Sequence, residues 1–193
     1  KRNVSGRAYN DGISIRGLGG KRVNILIDGI RVAEAYTGYG RDVVDVDLLK
    51  RVEILKGPSS ALYGSDGLAG AISYITKDAS DLADFGESYF SVNTSYDEDN
   101  EQTKVGFIAA RVGENIETLL QVTSRELSQL ELHDDATQEL DPFDGEQTSI
   151  LAKFQFNLSE SVDATLTLDH QEFEGDYIFN SQAGMSYFPQ VTS

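Results

Sequence analysis

The sequence predicts an α+β domain followed by a run of antiparallel β-strands, on three observations. Between residues 51 and 77, two short strand-like runs (52–55 and 71–76) flank a segment rich in turn residues. That segment holds four of the chain's eighteen glycines, Gly57, Gly64, Gly67 and Gly70, and one of its three prolines, Pro58. From Gly86 onward the hydrophobic period changes to two. Charge divides at the same place: residues 1–85 carry 12 Lys+Arg and 11 Asp+Glu, whereas residues 86–193 carry 4 and 21. Two different environments are implied.

In chain order, residues 1–12 are polar and lack any cap or strand signal, which predicts a loop continuing from preceding sequence. Residues 13–16 and 23–28 are β-rich runs, with GLGGK expected as the turn between them. Val23, Ile25 and Ile27 alternate with Asn24 and Leu26, so at least one face is buried. GLGG invites comparison with a phosphate cradle, but no helix-forming run follows it and no Lys-Ser/Thr closes it. Residues 31–44 read as a polar loop, AEAYTGYGRD at its centre, with Tyr36 and Tyr39 beside glycines. Exposed aromatics on such a loop suit ligand contact; half-buried loop tyrosines are the plainer reading. Residues 45–50 predict one or two helical turns, capped by Asp45 and with Leu48 and Leu49 inward. Residues 59–63 suggest another.

The second half reads as strands. Phe90, Val92, Thr94 and Tyr96 alternate with polar neighbours, as do Ile150, Ala152, Phe154, Phe156 and Leu158, and then Val162, Ala164, Leu166 and Leu168. Residues 104–112 and 116–124 are weaker cases, because Leu119 and the Ala109–Ala110 pair blur the faces. Eleven residues at about 3.3 Å each, tilted by about 45°, span roughly 25 Å, which suits the apolar band of a bilayer. Tight turns at 113–115 and 159–161 alternate with longer connections at 97–103 and about 125–147, the pattern of a transmembrane barrel. A soluble sandwich alternates in the same way, and periodicity alone leaves the two open.

Composition removes several classes. The chain has no cysteine, so disulfides, thiolate metal sites and cysteine nucleophiles are excluded. No apolar run is long enough for a transmembrane helix, which leaves a barrel as the membrane-spanning option. A net charge of −16 argues against a nucleic-acid partner. Neither histidine, His133 or His170, has metal-ligand spacing; His170 shares parity with Leu166 and Leu168, as a girdle residue would. His133 lies in an acidic loop, residues 131–146, whose carboxylates suit solvent, Ca²⁺ or a basic protein. No Ser/His/Asp set stands out, so the chain reads as a non-enzyme.

The stretch RVEILKGPSSALYGSDGLAGAISYITK, with ISIRGLGGKRVNILIDGIRV upstream, resembles the plug domain of TonB-dependent outer-membrane receptors, and most closely their haem and haemoglobin branch. The resemblance is strong over residues 1–85 and one of pattern beyond. It implies an α+β plug domain over 1–85 and antiparallel transmembrane β-barrel strands over 86–193. Since five strands cannot close around a plug without unpaired edges in lipid, the chain is expected to be a fragment. The structural motif of the plug is Gly57, Pro58, Tyr63, Gly64 and Gly70, glycines there serving backbone geometry.

The family resemblance also implies function: uptake of haem or haem-protein iron across a Gram-negative outer membrane, driven by a TonB-type inner-membrane complex through a box expected before Lys1. Outer-membrane lipid surrounds such a barrel, and no cofactor is held tightly, haem being cargo. Where the haem branch has a histidine after a Thr-Gly pair, this chain has Tyr39, after Thr37 and Gly38. A tyrosinate also ligates ferric haem, so Tyr39 is the candidate iron ligand, with Tyr36 and Arg41 beside it. Arg16 and Lys56 match the family's basic plug–barrel contacts, with Asp163 and Asp169 as candidate partners. The alternatives are a siderophore or cobalamin receptor of the same family and a non-transporting adhesion β-protein.

Overall fold

A computed structural model describes residues 14–19, 22–32, 44–59, 67–98, 101–128, 143–159 and 161–177. Contacts divide the chain into two compact units, the division falling between Asp81 and Leu82.

The first unit begins with a small hairpin, β1 (Ser14–Ile15) and β2 (Leu18–Gly19). Its turn is Arg16–Gly17, at φ 52 and 78. The expected turn at GLGGK therefore moves upstream, because positive φ at both central residues gives the twist that a two-residue hairpin needs. A four-stranded sheet follows in the order β4-β3-β6-β5, comprising β3 (Val23–Ile27), β4 (Ile30–Arg31), β5 (Leu49–Lys56) and β6 (Gly70–Thr76). β3 and β6 are parallel, Val23 opposite Gly70 and Ile27 opposite Tyr74; β5 and β6 are antiparallel.

β3 is buried on both faces, in keeping with the expectation of at least one, since Val23, Ile25 and Leu26 are all withdrawn from solvent. A nearly continuous apolar run is what a parallel central strand requires. Each such side chain contributes about 1.5–3 kcal/mol of burial. Ile15, Val23, Ala69 and Ile72 form a core cluster with Tyr74 packed on it. Asp28 and Gly29, at φ 48 and 81, turn β3 into β4. The expected helical segment is a single 3-10 turn, Val46–Leu48, with Asp45 accepting from the Asp47 N–H at 2.9 Å and Leu48 buried. Leu49 and Lys50 already belong to β5. Among the described residues no α-helix occurs, and a further 3-10 turn spans Ala79–Asp81.

The second unit is a five-stranded antiparallel sheet, β11-β10-β9-β8-β7, with β7 (Ser88–Asp97), β8 (Gln102–Val112), β9 (Ile116–Ser128), β10 (Phe143–Ser159) and β11 (Val162–Tyr177). Register defines its faces. One carries the rows Ala110–Leu119–Lys153, Ile108–Gln121–Leu151, Gly106–Thr123–Ser149 and Lys104–Arg125–Gln147; the other carries Ala109–Leu120–Ala152–Leu168 and Phe107–Val122–Ile150–His170. The largely polar face is the buried one, while Phe90, Val92, Leu120, Leu166 and Leu168 are exposed. An apolar face turned outward suits hydrocarbon rather than water. Phe90 and Phe107 meet edge to face there, centroids 5.1 Å apart.

β9 and β10 are longer than their apolar alternation. Arg125 and Gln147, expected in a connecting loop, lie in strands directly opposite one another, Arg125 Nη1 donating to Gln147 Oε1 at 3.3 Å. Cross-strand polar pairs extend the ladder without any hydrophobic signal.

Candidate functional site

The glycine motif shapes one end of the four-stranded sheet. Gly57 and Gly70 have φ of +139 and +152, which L side chains rarely adopt. They differ in space: a Cβ on Gly70 would fall 2.1 Å from Leu55 O and 2.9 Å from Ile15 Cδ1, whereas nothing lies within 4 Å of one on Gly57. Lys56, which is exposed, pairs in register with Gly70. Because Ile15 also reaches Gly70, the hairpin bearing Arg16 and the strand end bearing Lys56 share one corner of the sheet. Both cations are solvent-accessible there. Pro58 is exposed beside them.

Beyond Pro58 the ladder continues. The Gly57 N–H donates to Ala69 O at 3.0 Å and the Ser59 N–H to Gly67 O at 2.8 Å. Ser59 Oγ donates to the same Gly67 oxygen at 3.0 Å. The buried side chain of Asn24 lies against this pair.

The opposite end of the sheet is fastened by side chains that sequence reasoning missed. Asp28 accepts from the Thr76 N–H at 2.9 Å and from Thr76 Oγ1 at 2.6 Å, while its own N–H donates to Tyr74 O at 2.9 Å. Charge-assisted bonds of this length are stronger than neutral ones. The Lys77 N–H donates to Leu48 O, Lys77 Nζ to Asp47 O, and Lys50 pairs with Asp81. Asp28 and Thr76 stand 48 positions apart, so only the "Asp-Gly" and "Thr-Lys" motif letters hinted at them.

In the five-stranded sheet, Arg125, Gln147 and Ser149 form a side-chain ladder, Gln147 Nε2 lying 3.4 Å from Ser149 Oγ. Arg125 and Lys153 are 8% and 5% exposed, so the charges withdrawn on this face are cationic. Asp163 and Asp169 are exposed, Asp169 Oδ1 accepting from Gln171 Nε2 at 3.1 Å. His170 is exposed on the apolar face, 3.7 Å from Glu172. Among the described residues no cluster of His, Cys, Asp or Glu could hold a metal ion. Tyr36, Tyr39, Arg41, Tyr63, Gly64 and His133 lie outside the described residues, as does the acidic loop up to residue 142.

Comparison with known proteins fits this geometry. The model of the TonB-dependent Receptor Plug Domain matches residues 2–71. Hemoglobin-binding protein A of Haemophilus influenzae is 32% identical over 192 residues, covering 87% of this chain. Vitamin B12 transporter BtuB of Vibrio vulnificus (strain CMCP6) is 42% identical over 71 residues, covering 37% of it. The chain spans 19% and 12% of the length of these two relatives. Among solved structures, the apoprotein form of the FrpB iron transporter from Neisseria meningitidis (F5-1 variant) superposes with a TM-score of 0.69 at 24% identity. That match covers 88% of this chain and 27% of the other, and it speaks for the fold. The family is one of Gram-negative outer-membrane β-barrel receptors rather than enzymes. A plug-type sheet with the glycine motif at one end, followed by antiparallel strands whose apolar face turns outward, completes the case: the chain belongs to the TonB-dependent receptors.

Proposed function

We propose that the full-length protein actively takes up haem, or iron from a haem protein, across a Gram-negative outer membrane, with energy from a TonB-type inner-membrane complex. The observation that carries this reading is the extent of similarity. The match to the Hemoglobin-binding protein covers 87% of the chain and so runs on through the strands, whereas that to the B12 transporter covers 37%. Plug sequence is shared across substrates; the strands and their loops are where receptors diverge. On this reading the plug occupies residues 1–85 and barrel strands residues 86–193. Arg16 and Lys56 are plug–barrel contacts. Tyr39 is the haem-iron ligand, beside Tyr36 and Arg41, and haem is cargo rather than a resident cofactor.

The test is a strain in which this receptor is the sole route for iron. Growth on haemoglobin that depends on the receptor and on TonB supports the reading; growth on cobalamin or a siderophore alone overturns it in favour of the second reading, a receptor for those chelates. In the purified full-length receptor, Tyr39→Phe keeps the ring and removes only the oxygen, so haem binding is expected to weaken and the phenolate-to-iron charge-transfer band to vanish. An unchanged spectrum moves the ligand elsewhere. Binding without energy-dependent uptake points instead to an adhesion role.

A further inference from the structure

Asn24 is the second residue of β3, in the run VNILI, whose other members are all apolar. Its side chain is 0% exposed, and among the described residues neither its amide nitrogen nor its carbonyl oxygen has a hydrogen-bond partner. Buried polar side chains are nearly always paired, and each exception asks for a physical reason. Poor packing is not that reason. A Cβ on Gly67 would fall 2.5 Å from Asn24 Nδ2 and 2.0 Å from Ser59 Oγ, so the three residues are already in tight contact. Ser59 turns its hydroxyl to Gly67 O and not to the amide. Nor does the strand gain from asparagine, a residue depleted in strands.

Three backbone donors close the sheet around this point: Gly57 to Ala69 O at 3.0 Å, Ser59 to Gly67 O at 2.8 Å and Ala69 to Arg22 O at 2.8 Å. We propose that Asn24 is a release point built into this end of the plug sheet. When the Gly57–Ala69 and Ser59–Gly67 pairs part, water reaches the carboxamide and restores the hydrogen bonds that the closed form withholds. Relative to an apolar side chain of the same shape, the amide raises the equilibrium constant for opening by about tenfold or more. The far end is held differently, the Asp28 carboxylate binding Thr76 by two bonds. The sheet therefore opens from the glycine end first.

Hydrogen exchange on the full-length receptor, without ligand or energy source, tests this. Asn24→Leu, nearly isosteric, is expected to slow exchange of the Gly57, Ser59 and Ala69 amides by about tenfold or more and to leave that of Thr76 unchanged. Asn24→Val, smaller and suited to a strand, is expected to act in the same direction. Unchanged or faster exchange in both variants overturns the proposal, because the carboxamide then favours the closed form or is indifferent to it. Failure of both variants to reach the outer membrane overturns it too, since an apolar side chain would then fit worse than the unpaired amide. The measurement involves no haem and no transport, so its outcome is separate from that of the uptake reading.

Discussion

In the four-stranded sheet the side chains withdrawn from solvent are mostly apolar, Val23, Ile25, Leu26, Ala71 and Ile72, with Asn24 and Thr76 as the polar exceptions; in the five-stranded sheet they include Gln121, Thr123, Arg125, Ser149 and Lys153 beside Leu119 and Leu151. In both sheets the inner strands are paired on both sides. They differ in what surrounds them. The first is organised for water outside and a dry core, as a globular domain is. The second is organised for hydrocarbon on one face and a polar interior on the other. Burial alone therefore does not identify a core; the chemistry of what is buried does.

The largest effect that would break this contrast lies in the first sheet. Gly70→Ala in the full receptor meets Leu55 O at 2.1 Å in addition to its unfavourable φ, so a loss of about 3 kcal/mol or more is expected. Gly57→Ala carries only the conformational penalty of about 1–3 kcal/mol. Receptor abundance in the outer membrane and midpoint of plug proteolysis measure both; equal effects would refute the spatial argument.

The second sheet is tested by moving a charge between faces. Leu168→Arg, in the middle of the outward apolar rows, is expected to cost about 2–4 kcal/mol in a lipid-embedded receptor. Thr167→Arg, one residue away on the polar face, should cost less than about 1 kcal/mol. Chemical unfolding in lipid separates them, and the reverse order would show the faces to be assigned wrongly.

Thr76→Val sharpens the contrast within the plug. It removes the 2.6 Å bond to Asp28 while keeping shape, with an expected loss of about 1–2 kcal/mol and faster amide exchange at the β6 end. Smallest of all is Glu53→Gln. The Arg51–Glu53 pair is half-exposed, so less than about 0.5 kcal/mol should change.

Period-two runs such as 150–158 and 162–168 were readable because alternating faces meet different solvents, and the plug motif was readable because its glycines and Pro58 are turn chemistry. Four things were not. Strand ends at Arg125 and Gln147 carry polar side chains that look like loop. The Arg16–Gly17 turn places arginine at positive φ, where composition predicts asparagine or glycine. Asn24 sits in an alternating run that hides burial of both faces, and its unpaired state depends on Ser59 and Gly67, more than thirty positions away. Asp28 likewise needs Thr76. Long-range partners leave no local trace.

The register of β9 against β10 has one more consequence. Shifting one strand by a single residue would turn Arg125 or Lys153 toward lipid and bring Leu120 or Ile150 to the wet side. Each misplaced cation at mid-membrane depth costs about 2–4 kcal/mol. A copying error of one step is thus rejected by the solvents themselves, before any loop or turn is consulted. Only a shift by two preserves the faces, and it would still part Arg125 from Gln147, so this pair acts as a proofreading mark for the alignment of the wall.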